Sequence, residues 1–174
     1  GMHMPNFAVD IRQWKSVADF ANYIKSYDPA IAPWANGVVI HHTYMPVQAD
    51  WHGKVTLEGI KNFYIGKQWT AGPHLFIVAN SPDANNDGIW QMTPLNMPGI
   101  HAGQCNAHMW GIEVVGDYNQ TPWDAQTRTL VVGAAAELVK WRSITVDPTT
   151  VKGHRDCNSP KTCPGTAINL DDVR

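Results

Sequence analysis

Gly37-Val38-Val39-Ile40-His41-His42-Thr43 is the stretch on which the fold turns. Three β-branched residues follow the turn pair Asn36-Gly37 and run straight into two imidazoles, which reads as a strand ending in polar side chains. Upstream, Ser16-Val17-Ala18-Asp19 has the form of a capping box. Apolar Val17, Phe20, Ala21 and Ile24 then keep helical spacing until Asp28-Pro29 stops it. Downstream, residues 57–69 read as a second helix, and 75–79 and 89–92 as strands. The Asp- and Asn-rich run 81–88 between those strands reads as a hairpin turn. Residues 111–116 form the next strand, and Thr121-Pro122 marks entry to a long helix over 123–142. Its stripe is Leu130, Val131, Ala134, Leu138 and Trp141, and residues 151–165 follow as a structured loop. Strands alternating with helices, with no linker, predict α/β architecture: a single domain with a mixed central β-sheet flanked by helices. The domain is expected to span 1–174, with its core at about 37–165 and residues 1–36 as an N-terminal helical extension.

Composition narrows the function. The 174 residues carry 13 Lys+Arg against 15 Asp+Glu, a formal net charge of −2, with the cations scattered singly. That balance argues against nucleic acid or an acidic membrane surface as partner. No apolar run is long enough to span a bilayer, so no integral membrane association is expected. The first residues lack the charged and apolar regions of a secretory signal. Gly1 ahead of Met2 reads as a cloning scar. Three Cys are too few for a disulfide framework. Eight His stand beside only three Glu (Glu58, Glu113 and Glu137), and two of those Glu fall in helical segments. Glu113 alone falls on an apolar strand, where an unpaired carboxylate is costly.

The chemistry gathers in four places: His41 at the strand end, His101-Ala102-Gly103, Glu113 within Trp110-Gly111-Ile112-Glu113-Val114-Val115-Gly116, and the segment Gly153-His154-Arg155-Asp156-Cys157-Asn158-Ser159-Pro160-Lys161-Thr162-Cys163-Pro164-Gly165. A catalytic zinc site takes three N, S or O ligands and keeps a fourth position open. Two imidazoles and a thiolate, one from a strand and two from a loop, have that form. For each residue there is a plainer reading: a packed imidazole, a buried thiol, a salt-bridged Glu113, a solvated Lys161.

VVIHHT, HAG, WGIEVVG and GHRDCNSPKTCPG, in that order, resemble the zinc-dependent N-acetylmuramoyl-L-alanine amidases, which include phage lysozyme-type amidases and animal peptidoglycan recognition proteins. The likeness covers about residues 37–165, and the last segment is its most specific part. It implies Zn2+ held by His41, His154 and Cys163, on a mixed sheet flanked by helices. It implies a peptidoglycan or muropeptide substrate, cut between N-acetylmuramic acid and the first L-alanine. Amide hydrolysis needs a nucleophile, an oxyanion partner and a proton for the leaving amine. Zinc lowers the pKa of bound water from about 16 to about 7. Glu113, opposed in direction to Ile112 and Val114, is placed to act as general base and then acid. Lys161 is placed to stabilise the oxyanion. Some branches of the family carry a Tyr where this chain has Pro73, which leaves proton transfer to Glu113.

His101, Trp69 and Trp110 are expected substrate contacts, with Trp90 also near the cleft; Trp14 and Trp141 belong to the core. His42 points to the other strand face from His41 and, like His74, is expected to be packed. Asp156 orders its loop. Cys105 and Cys157 are left either paired or free. Residues 83–87 lack the spacing of a calcium loop. The rival reading is a non-catalytic peptidoglycan-binding module of the same fold; a zinc protease is a third. A monomer made in the cytoplasm, reaching the wall by phage-type release, completes the expectation.

Overall fold

A computed structural model describes residues 6–174; the reading of Gly1 and Met2 falls outside them. Six strands form one sheet: β1 (Arg12–Trp14), β2 (Val38–His42), β3 (Leu75–Val78), β4 (Gly88–Gln91), β5 (Trp110–Val114) and β6 (Val151–Gly153). Their order is β1-β4-β3-β5-β2-β6. The pairs β3–β5, β5–β2 and β2–β6 are parallel, whereas β4 is antiparallel to both β3 and β1. Three helices complete the fold: α1 (Val17–Lys25), α2 (Lys54–Gly66) and α3 (Ala125–Trp141). This is the mixed sheet flanked by helices that the sequence predicts.

Strand alternation divides the core. Val38, Ile40, Trp110, Ile112, Val114, Leu75 and Ile77 pack with Phe20 and Ile24 of α1 and Val131, Ala134 and Leu138 of α3. The opposite face carries Phe76, Val78 and Trp90, covered by Trp51, Leu57 and, partly buried, Ile60 and Tyr64 from α2. Each fully buried aliphatic side chain contributes about 1.5–3 kcal/mol, so both layers are needed to order the sheet. Gly37 admits β2 to its place: a Cβ there would meet the Thr150 carbonyl oxygen.

Several boundaries differ from the sequence reading. β1 and β6 were not expected; three residues at a sheet margin carry too little alternation to register as strands. Within residues 6–36 the helical extension is therefore joined by a strand, since β1 pairs with β4. The loop expected over 151–165 opens instead with β6, paired to β2. α2 begins at Lys54 rather than 57 and ends at Gly66, before Trp69. Its N-cap is Gly53, at φ 74°, so no side chain announces the start. In α3 the cap is Asp124, whose carboxylate accepts from the Thr127 amide at 2.8 Å, two residues beyond Pro122. Ser16 caps α1 as expected, accepting from the Asp19 amide. Among the described residues, no helix is long and apolar enough to cross a membrane.

His74 lies fully buried on the strand side of the site, accepting from the Gly111 amide at Nδ1 (3.0 Å) and placing Nε2 2.8 Å from the Met97 carbonyl. Burial lowers its pKa to about 4, against the weaker opposing pull of that carbonyl. A depressed folded-state pKa contributes stability that is present above about pH 6.5 and lost as pH falls toward 4. Metal-free protein is expected to lose about 2 kcal/mol from this residue between pH 7 and pH 5. Urea unfolding of wild type and His74→Gln at both pH values checks this: the difference in their pH slopes should be of that size.

Candidate metal centre and cleft

The centre is built where three parallel strands end. His41 stands on β2 directly beside Glu113 of β5, and Phe76 of β3 flanks Glu113 on the other side. Residues paired in register share a face, so His41 and Glu113 point together while Ile112 and Val114 point into the helix-covered core. β6 ends at Gly153, and His154 follows at once, its ring centroid 4.8 Å from that of His41. The chain then turns back to bring Cys163 to the end of β2, where the His42 amide donates to its Sγ at 3.3 Å. One donor atom from each of His41, His154 and Cys163 lies within 4.8 Å of the others.

The returning loop is tied down along its length. Arg155 donates through its guanidinium to the Gly165 and Ile168 carbonyls, and its amide to the Cys163 carbonyl. The Asp156 carboxylate accepts from the Gly153 amide at 2.9 Å, in the loop-ordering role read from sequence. A disulfide joins Cys105 to Cys157, which resolves the alternative left open above and links the His154 loop to the segment after His101. Cys163 is thus the only cysteine outside a disulfide.

Burial sets the electrostatics. His41 is 1% exposed and its pKa is held well below the ordinary histidine value, first by burial and then by His101, His154 and Lys161. His154 is lowered by burial and by Lys161. Both rings are therefore neutral and able to bind a metal. Burial pushes the Cys163 thiol up to about 12, with Glu113 adding to the effect. The Glu113 side chain is 12% exposed, and burial pushes its pKa up to about 8 despite Lys161. One of its oxygens, Oε2, is buried without a hydrogen-bond partner, and the other lies 3.9 Å from His41 Nδ1. Two neutral imidazoles, a thiol and an unpartnered carboxylate oxygen suit a dication such as zinc better than any arrangement among themselves.

These groups open onto a cleft of about 470 Å³. Trp69 and Lys161 line it, as expected. Trp69 stacks on Tyr64 at 4.8 Å, under the Lys67 ammonium at 4.4 Å. Trp110 does not reach it: the ring is fully buried, donating to the Leu95 carbonyl, because Trp110 shares the strand parity of Ile112 and Val114. Trp90 is also core, 5% exposed on the α2 side of the sheet. His101 borders the cleft but is 7% exposed, with both ring nitrogens within 3.0 Å of protein atoms. His42 has the strand parity of Ile40 and accepts from the Tyr118 amide at Nδ1, yet it too borders the cleft. Tyr44, Asn119 and Thr162 line the cleft without having been singled out. Thr162 lies between Lys161 and Cys163, a usable signal; Asn119 has none in its own neighbourhood.

Solved structures share this architecture. The endolysin amidase LysCS from Clostridium intestinale superposes with a TM-score of 0.64 at 23% identity, over 99% of this chain and 95% of that one. A variant of Drosophila PGRP-LB in complex with tracheal cytotoxin gives 0.64 at 20% identity, over 96% and 86%. The Ph2119 endolysin of a Thermus scotoductus bacteriophage gives 0.61 at 23%, over 80% and 82%. Comparison with curated protein sequences gives no significant match. The family model described as N-acetylmuramoyl-L-alanine amidase matches residues 32–166, a span that contains β2, β5, β6 and every residue of the three-donor cluster. With most of the chain matched and the sheet shared, the protein belongs to the N-acetylmuramoyl-L-alanine amidase family.

Proposed function

We propose that the protein is a zinc-dependent amidase that hydrolyses the bond between N-acetylmuramic acid and L-alanine in peptidoglycan or muropeptides. The observation that carries this is the convergence of His41, His154 and Cys163 beside a buried, incompletely bonded Glu113. His41, His154 and Cys163 would hold the ion. When bound, zinc supplies Lewis acidity and a water acidified to a pKa of about 7.

The remaining steps fall to the protein's side chains. Burial favours the protonated form of Glu113 at neutral pH, and a dication held by the three donors would favour its carboxylate. Glu113 takes a proton from the attacking water as the new O–C bond forms. It then returns that proton to the nitrogen as the C–N bond breaks, leaving a free L-alanine amino group. Lys161 lines the cleft as an exposed cation able to donate to the oxyanion. Trp69, held between Tyr64 and the Lys67 ammonium, lines the cleft and offers the edge of its ring to a sugar or peptide. Trp69→Ala is expected to raise KM about tenfold with kcat nearly unchanged, the signature of uniform binding; steady-state kinetics on a soluble muropeptide checks it.

The test of the reading is muropeptide release from purified cell wall with and without chelator. Chelator-sensitive appearance of L-alanine amino termini supports it. Saturable wall binding with no new termini would favour the binding-module reading. Phage-type release is the accompanying proposal, supported by the similarity to endolysins, and action as a monomer is proposed with it.

A further inference from the structure

We propose that His101 is a positioning residue for the metal centre: it dictates which nitrogen of His41 is left free to bind. The inference rests on the metal-binding reading above and concerns a residue that sequence alone assigned to substrate.

The argument follows hydrogens. His101 Nε2 lies 3.0 Å from the Met109 carbonyl oxygen, which can only accept, so Nε2 carries the proton. In a neutral imidazole the other nitrogen, Nδ1, is then an acceptor. That Nδ1 lies 3.0 Å from His41 Nε2, so His41 must donate from Nε2. The lone pair of His41 is thereby confined to Nδ1, the nitrogen that lies 3.9 Å from Glu113. Met109 thus sets the tautomer of a candidate ligand through one intervening ring. The opposite tautomer would put a hydrogen where a metal has to approach, and would leave Nε2 and His101 Nδ1 as two acceptors facing each other.

The place of His101 is built into the fold. Asn106 Oδ1 accepts from the His101 and Ala102 amides at 2.9 and 2.7 Å, fixing the backbone at the ring's base. β5 makes room for the ring at Gly111, where a Cβ would lie 2.5 Å from His101 Cγ. The same strand face therefore yields space to His101 at position 111 and presents Glu113 two residues later. A hydrogen-bonded substrate contact would require a free nitrogen, and His101 has neither to spare.

Outer partners that orient a ligating histidine are worth about 10–100-fold in metal affinity. The test uses the full chain, stripped of metal, with zinc affinity measured against a competing chelator. His101→Leu is expected to weaken zinc binding by about 10–100-fold. His101→Asn, whose amide oxygen can accept near the position of Nδ1, should recover most of that loss. Long-range ¹H–¹⁵N spectra of the metal-free wild type should place the proton on Nε2 of both His41 and His101. In His101→Leu, His41 should become a mixture of tautomers. Circular dichroism and thermal unfolding without metal separate this from misfolding; should the Leu variant not fold, the Asn variant and the wild-type spectrum still decide. Unchanged zinc affinity in a folded His101→Leu protein, or a wild-type His41 protonated on Nδ1, would overturn the positioning role and leave the zinc reading intact. A wild type that takes up no stoichiometric zinc would overturn both.

Discussion

Cys163→Ser is expected to abolish stoichiometric zinc binding and, with it, muropeptide release, while the fold survives. Sγ is one of three donors, so its loss should exceed the roughly 100-fold effect of removing an outer hydrogen-bond partner. The proton inventory sharpens the test. In the metal-free protein the thiol is pushed up to about 12 by burial and by the nearby Glu113, so it is protonated at neutral pH. Binding a metal through sulfur must release that proton, which makes apparent affinity rise about tenfold per pH unit on its account. Calorimetry in buffers of different ionisation enthalpy counts the protons released, and the serine variant should release one fewer in whatever binding remains. Elemental analysis of protein purified without chelator gives the occupancy. A Cys163→Ser protein with full zinc and normal turnover would reduce Cys163 to a buried thiol.

Glu113→Gln is expected to separate activity from stability. Turnover should fall by about 10²–10⁴, the usual contribution of a positioned general acid–base, while zinc is retained. The metal-free variant should nevertheless be more stable than wild type at high pH. Burial raises the folded-state pKa of Glu113 from 4.5 to about 8. The folded chain thus holds a proton that the unfolded chain has released, and wild-type stability falls as pH rises from about 4.5 through 8. At pH 4 the two proteins should differ little. By pH 9 the glutamine variant should lead by about 4 kcal/mol once the amide's own desolvation is set against the gain. Denaturant unfolding in the presence of chelator at both pH values checks this. Equal stability at pH 9 would mean that Glu113 is solvated, and near-normal turnover with zinc bound would remove it from catalysis.

The legible parts of the molecule were those whose signal lies within a few residues. Val38-Val39-Ile40 announced β2, and Ser16 announced α1, because β-branching and capping are local chemistry. β1 and β6 were illegible because Arg12-Gln13-Trp14 and Val151-Lys152-Gly153 become strands only through the neighbours they pair with. The start of α2 was hidden by Gly53, which caps through backbone freedom rather than a side chain. Trp110 was readable in principle, since its parity with Ile112 already placed it in the core. His101 was not: its two partners, His41 and the Met109 carbonyl, are distant in sequence or belong to the backbone. The Cys105–Cys157 bond spans a separation of 52 residues, which no spacing rule connects.

His41 and Glu113 face each other across one rung of the β2–β5 ladder, so the sheet acts as a parity code for the centre. A slip of one residue would turn His41 or Glu113 to the opposite layer and offer the cleft Ile40 or His42 from β2, or Ile112 or Val114 from β5. A slip of two would restore the face but carry the residue about 6–7 Å along the strand, out of reach of its counterpart. Metal uptake becomes a readout of β2 register, and lengthening β2 upstream of His41 by a single residue should erase it as completely as deleting a ligand.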